Sequence, residues 1–71
     1  MFNYTISIIE NNKIERLYYS SYKRATKIYE LMLGLAYYCG NNIDGVLLWQ
    51  HCKSKTIDTD PHAKILRYYY K

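Results

Sequence analysis

Between Tyr22 and Cys39 the apolar residues fall into a helical rhythm. Ala25, Ile28, Tyr29, Met32, Leu35, Ala36 and Cys39 step by three, one, three, three, one and three. That spacing draws one stripe along one side of an α-helix, whose default use is packing against a sheet. Five turns cross a small sheet from end to end. Ser20 or Ser21 supplies an N-cap hydroxyl. Gly40, followed by Asn41 and Asn42, stands where a left-handed C-cap is wanted.

The flanking stretches have a period of two. In "FNYTISIIE", Phe2, Tyr4, Ile6 and Ile8 share one side and Asn3, Thr5 and Ser7 the other, the pattern of a half-buried strand. "NNK" at 11–13 follows, and asparagines tolerate the positive φ of a tight hairpin turn. "IERLYYS" is the return strand, with Leu17 and Tyr19 on one face and Arg16 and Tyr18 on the other. After the helix, "DGVLLWQHC" predicts a third strand opened by Gly45. "KSKTIDTDP" is polar and ends at a proline turn, although "KTI" could extend a strand. "HAKILRYYYK" is the fourth strand.

The order is therefore ββαββ, an α+β fold. The simplest packing is a four-stranded, mostly antiparallel sheet with the helix on one face. One helix cannot cover both faces, so the other is solvated, used, or buried in a dimer. A chain of 71 residues is a single domain, 1–71, that buries only about 60% of its unfolded surface. Its composition, 49% hydrophobic and 23% charged, is that of a globular domain. The opening "MFNYTISIIENNK" lacks the basic start, apolar run and cleavage site of a signal peptide. No window nears the ~18 apolar residues of a membrane span. Two cysteines, Cys39 and Cys52, are fewer than a small secreted scaffold uses. These features predict an intracellular, cytoplasmic protein with reduced thiols and no membrane contact.

Four features go beyond packing. Lys23, Arg24 and Lys27 crowd the start of the helix, against the positive end of its macrodipole. Lys23 and Lys27 are also a like-charge i, i+4 pair. The bland explanation is a solvated face; the functional one is a patch that meets an anionic partner. Second, Leu31, Leu33, Tyr37 and Tyr38 fall outside the core stripe. Gly34 sits mid-helix among exposed residues at a cost of about 1 kcal/mol against alanine, tolerable where another backbone comes close. Third, 10 tyrosines in 71 residues exceed what a core needs. Tyr18, Tyr19, Tyr68, Tyr69 and Tyr70 lie on strands, where neighbours alternate faces. Tyrosine suits strands, but it also supplies stiff contact area at interfaces. Beside Arg16, Lys64 and Arg67 such rings could equally stack on bases.

The fourth feature is chemical. Cys39, His51, Cys52 and His62 can be written as a zinc set, but His51 and Cys52 are adjacent on a strand and face opposite ways. Buried thiols are the plainer reading, against either zinc or a Cys39–Cys52 disulfide. "DTDPH" brings Asp58, Asp60 and His62 together on a loop, where aspartate before proline is ordinary turn chemistry. No nucleophile–histidine–acid set has a recognisable context. The sequence predicts no enzyme, no metal and no cofactor.

In overall character the chain resembles the small inhibitors carried by phages and other mobile elements, of which the anti-CRISPR proteins are the best-known group. It shares their short length, few cysteines and richness in Tyr, Ile, Lys and Asn, and some of them have a compact antiparallel sheet with one helix. The resemblance covers the layout of the whole chain and rests on no motif. It implies stoichiometric binding to a host defence protein or ribonucleoprotein complex, masking its working surface. Candidate contact residues are Lys23, Arg24, Lys27, Tyr37, Tyr38, Arg67, Tyr68 and Tyr70, with Trp49 on the open sheet face. A small nucleic-acid-binding domain is the alternative, holding phosphates with Arg16, Lys64, Arg67 and Lys71. A homodimer that closes the open sheet, or that pairs the Leu31, Leu33, Tyr37 and Tyr38 surface, is compatible with the first.

Overall fold

The structure, a computed structural model, describes residues 1–38 and 42–71. The expected C-cap at Gly40, and Cys39 at the end of the helical stripe, lie outside the described residues. The elements run β1 (Phe2–Glu10), β2 (Lys13–Tyr19), α1 (Tyr22–Tyr38), β3 (Ile43–Cys52) and β4 (Lys64–Tyr70). They form the ββαββ order read from the sequence, as one open sheet of order β2-β1-β3-β4 in which every neighbouring pair is antiparallel.

The β1–β2 hairpin closes over a two-residue turn between Glu10 and Lys13. Asn11 and Asn12 take φ of 51° and 64°, the left-handed pair that matches the twist of a hairpin. At the next corner Ser21, rather than Ser20, caps the helix. Its Oγ accepts the Arg24 amide at 3.3 Å and its carbonyl accepts the Ala25 amide at 2.9 Å. β1 and β3 hold the centre of the sheet because they are the most apolar strands. Their residues Ile6, Val46 and Leu48 are 0% exposed. Ala25, Tyr29 and Ala36 of α1 close over them, with Ile28, Met32 and Leu35 packed at the margin. Leu33 joins this margin, which corrects its placement outside the core stripe. The buried side of the helix is thus wider than strict periodicity indicates. Phe2 leaves the inward row of β1 and is half exposed.

The second face of the sheet departs from expectation. Thr5, Ser7, Leu47 and His51 point away from the helix and are nonetheless buried. The β3–β4 connection, 53–63, folds back across them instead of extending a strand. Arg16 grips Asp58 through two hydrogen bonds, of 2.5 and 3.3 Å. Asp60 accepts the Cys52 amide at 2.6 Å and the His62 amide at 2.9 Å. Asn3 donates to the Lys53 carbonyl at 3.3 Å. Beneath the connection, the Thr5 hydroxyl and His51 Nε2 lie 2.8 Å apart. His51 Nδ1 is 3.1 Å from the Cys52 carbonyl, which can only accept. In the neutral ring Nδ1 therefore donates, and Nε2 accepts from Thr5.

Two predictions follow from this packing. Leu48→Ala empties fully enclosed core volume and is expected to cost about 2–5 kcal/mol. Leu31→Ala, on an exposed helix position, should stay within about 0.5 kcal/mol of the parent. Urea titrations followed by circular dichroism compare them, and equal losses would contradict the placement of the core. Asp58 and Asp60 supply the second. Both carboxyls are held below the ordinary aspartate value of 3.8, Asp58 by hydrogen bonds from Arg16 and Asp60 by the Cys52 and His62 amides. A depressed folded value means the stabilisation is fully present above the unfolded pKa and is lost as pH falls through the folded one. Thermal midpoints should thus be flat above about pH 4 and fall below it. Asp58→Asn and Asp60→Asn should each flatten that acid limb, and an unaltered limb in both would remove these carboxyls as its cause.

Candidate interaction surface

The register of the strands divides the side chains into two fields. On the helix side, Leu17, Ile6, Leu48 and Arg67 form one row across the sheet, and Glu15, Ile8, Val46 and Tyr69 the next. On the outer side the rows are Tyr18, Thr5, Trp49 and Ile65, then Arg16, Ser7, Leu47 and Tyr68, then Ile14, Ile9, Gly45 and Tyr70. A bulge between Leu48 and Trp49 sets β4 so that Arg67 faces the helix while Tyr68 faces away.

This division separates residues that the sequence reading grouped. Arg67 does not stand beside Tyr68 and Tyr70 on an open platform. Its guanidinium lies 4.8 Å from the centre of the Tyr29 ring and 3.3 Å from a Glu30 carboxylate oxygen. Burial raises the Tyr29 phenol pKa, and the Arg67 charge opposes the rise. Arg67 thus ties β4 to α1 by a cation–π contact and an ion pair. Lys64, opposite Gln50, also lies on the helix side. Of Arg16, Lys64 and Arg67, Arg16 is the one on the outer face, and Asp58 occupies it. That pairing also raises the Arg16 pKa.

Lys23, Arg24 and Lys27 do come together. With Ser21 they line a shallow depression of about 390 Å³ at the start of the helix. The first turn of α1 holds no acidic residue to balance them. The same side of the helix continues through Glu30 into a groove of about 400 Å³ between the end of α1 and β4. Leu33, Gly34, Tyr37 and Tyr38 line it from the helix and Tyr69 from the strand. Tyr37 meets Tyr69 at 6.1 Å and Tyr38 at 5.1 Å between ring centres. A Cβ on Gly34 would meet nothing within 4 Å. The close backbone that the glycine led us to expect is therefore absent from within the described chain. The sequence reading missed Tyr69 as a wall of this groove, because alternation assigns a residue to a face only once the bulge is known.

Tyr68 and Tyr70 form a separate patch on the outer face, 5.8 Å apart. Tyr70 lies flat across Gly45, where a Cβ would sit 3.0 Å from its ring and 3.2 Å from the Tyr69 carbonyl. Towards β2 a smaller cleft of about 180 Å³ opens among Ser7, Ile14, Leu47, Trp49 and Ile57. The Trp49 indole N–H is buried without a hydrogen-bond partner. The eight candidate residues therefore make three surfaces: a basic helix start, an aromatic groove at the helix end, and a tyrosine pair on the opposite face. Arg67 serves as a strut between layers.

Both carboxylates of the "DTDPH" segment, Asp58 and Asp60, are engaged in holding the connection, and His62 contributes its backbone amide. Cys52 faces Ser54 at 3.4 Å, and that hydrogen bond lowers its thiol pKa. Among the described residues no three of His, Cys, Asp and Glu converge on a common point. No described helix is long and apolar enough to cross a membrane. No family model, curated protein or solved structure matches the chain.

Proposed function

We propose that this chain is a small non-enzymatic binding protein, a phage or mobile-element inhibitor of the anti-CRISPR kind. It binds a host defence protein or nucleoprotein stoichiometrically and masks that target's working surface. The observation that carries the reading is the outward side of α1. Lys23, Arg24 and Lys27 are concentrated there in the first turn and a half, without acidic neighbours in that turn. The helix dipole makes this the least favourable end for cations. Concentrating charge there sacrifices a little stability and gains a compact positive surface. A target presenting carboxylates would neutralise it.

The cationic sign sets the mechanism. A protein that imitates nucleic acid must be acidic, whereas this one carries +4. It would block by covering acidic residues beside the target's working surface. The adjoining aromatic groove would add apolar contact area, since rings with a polar tip are the residues that most often anchor interfaces. Nucleic acid fits the geometry less well. Among the strand residues, the cation that shares a face with Tyr68 and Tyr70 is Arg16, and it is already paired with Asp58.

Charge reversal at Lys23 and Arg24 tests the site. Tagged parent chain and the Lys23→Glu, Arg24→Glu double variant are each used to capture partners from host lysate, with and without nuclease. The parent is expected to retain a nuclease-resistant protein, and the double variant to bind it at least about tenfold more weakly, a change of ~1.4 kcal/mol. Equal affinity in titration removes this patch from the interface. Recovery that disappears with nuclease, with affinity falling steeply as salt rises, replaces the reading with nucleic-acid binding.

A further inference from the structure

β4 is a sheet edge with exposed tyrosines on both of its faces. Tyr68 and Tyr70 stand on the outer side, 67% and 54% exposed. Tyr37 and Tyr38, 65% and 83% exposed, overhang the helix side beside Tyr69. A partner laid on either face would cover half of this set. A strand added to the free edge covers both halves at once, and its backbone satisfies the unpaired N–H and C=O groups of β4. The opposite edge is guarded differently. β2 carries Lys13 and Glu15, and the Arg16–Asp58 pair lies across its middle. In β4, Arg67 is the one charge among the four residues from Arg67 to Tyr70, and it is turned in on Tyr29 and Glu30.

We infer that the occupant is a second copy of this chain, paired β4 to β4 antiparallel about a two-fold axis through Tyr68. Within the regular part of β4 after the bulge, Arg67–Tyr70, an axis through Tyr70 leaves almost no strand overlap, and charge selects among the rest. Directly opposed residues in an antiparallel pair share a face, so the axis passes through one residue and not between two. Centred on Arg67, the pairing sets two arginines against each other. Centred on Tyr69, it sets Arg67 against Lys71. Like charges directly opposed destabilise a strand pair. Centred on Tyr68, the pairing opposes Tyr68 to Tyr68 on the outer face and Arg67 to Tyr69 on the helix face, and no cation meets a cation.

The area is sufficient. A tyrosine offers about 200 Å² of contact. At the exposures above, Tyr37, Tyr38, Tyr68 and Tyr70 bring roughly 500 Å² from each copy. Two copies therefore reach about 1,000 Å², the size a specific interface must clear, before the strand backbones are counted. The groove at Leu33, Gly34 and Tyr37 then faces its own image across the axis, with open space at Gly34 for the opposing rings. The result is an eight-stranded sheet with both helices on one side. It presents two copies of the basic helix start in the same direction, and it stands independently of what that patch binds.

Sedimentation equilibrium and a cysteine cross-link test this together. The parent chain is expected at twice its 8.6 kDa mass at high concentration, dissociating on dilution. Tyr68→Lys, which opposes two cations across the axis, should return it to the chain mass with an unchanged circular dichroism spectrum. In a Cys39→Ser, Cys52→Ser background, Tyr68→Cys should form an interchain disulfide on mild oxidation, whereas Tyr18→Cys on β2 should not. The cross-link keeps the test open if Tyr68→Lys fails to fold. A mass equal to the single chain from micromolar to millimolar concentration overturns the inference. So does a dimer that ignores Tyr68→Lys and leaves Tyr68→Cys uncross-linked.

Discussion

One helix has to serve a sheet of four strands, and most of the structure answers that shortage. The helix covers Ile6, Ile8, Val46 and Leu48 on one side. The outer side of the same central strands still carries Leu47 and Trp49, which water would otherwise meet. The β3–β4 connection lies across them, and it is polar enough to face solvent above while Ile57 lies against the outer-face cleft. A connection of this kind has little apolar area to hold it down. It is held by directed bonds instead: Asp58 on Arg16, and Asp60 on the Cys52 and His62 amides. Buried Thr5, Ser7 and His51 are the consequence. Polar groups are acceptable beneath a polar cover when they satisfy one another, as Thr5 and His51 do.

The other layer junction depends on Arg67. At the end of α1 the helix and β4 flank a groove, across which Tyr37 meets Tyr69. Arg67 spans the gap, with its guanidinium over Tyr29 and against Glu30. Arginine suits this position because its flat, weakly hydrated head stacks on a ring while its donors reach a carboxylate. Arg67 stays partly exposed in this role, with its charge matched by Glu30. The helix's own cations, Lys23, Arg24 and Lys27, lie at its start, away from the aromatic groove, so the charged and aromatic surfaces are distinct.

The hairpin, the helix and the strand limits were legible because local rules specify them. Two asparagines at positive φ, a serine cap, and the change from period two to a helical stripe act within a few residues. The division of the candidate site among three surfaces was not legible. It turns on the bulge at Leu48 and Trp49, which slips β4 by one residue and sends Arg67 to the helix side. A bulge carries no signal in alternation when both faces of the strand hold large side chains, as in "ILRYYY". The cover over the outer face was hidden for a related reason. Asp58 finds Arg16 across 42 residues of chain, and composition alone makes "KSKTIDTDP" look like an ordinary polar loop.

The abundance of tyrosine follows from the same thinness. The backbone measures 36 × 24 × 15 Å, so few positions lie more than a ring's length from water. Tyr29 is the one tyrosine that is fully enclosed. Tyr4, Tyr19 and Tyr69 are half-buried, packed against the core margin. A leucine at such a position would expose its methyl groups, and a lysine would leave the margin unfilled. Tyrosine does both jobs because its ring packs and its hydroxyl stays wet. That logic accounts for the boundary residues and stops there. Tyr18, Tyr22, Tyr37, Tyr38, Tyr68 and Tyr70 stand too far into solvent to complete a core. Two of these six lie on β4, and Tyr37 and Tyr38 line the groove beside it. The surplus left after folding is accounted for therefore concentrates where the sheet has an unfinished edge.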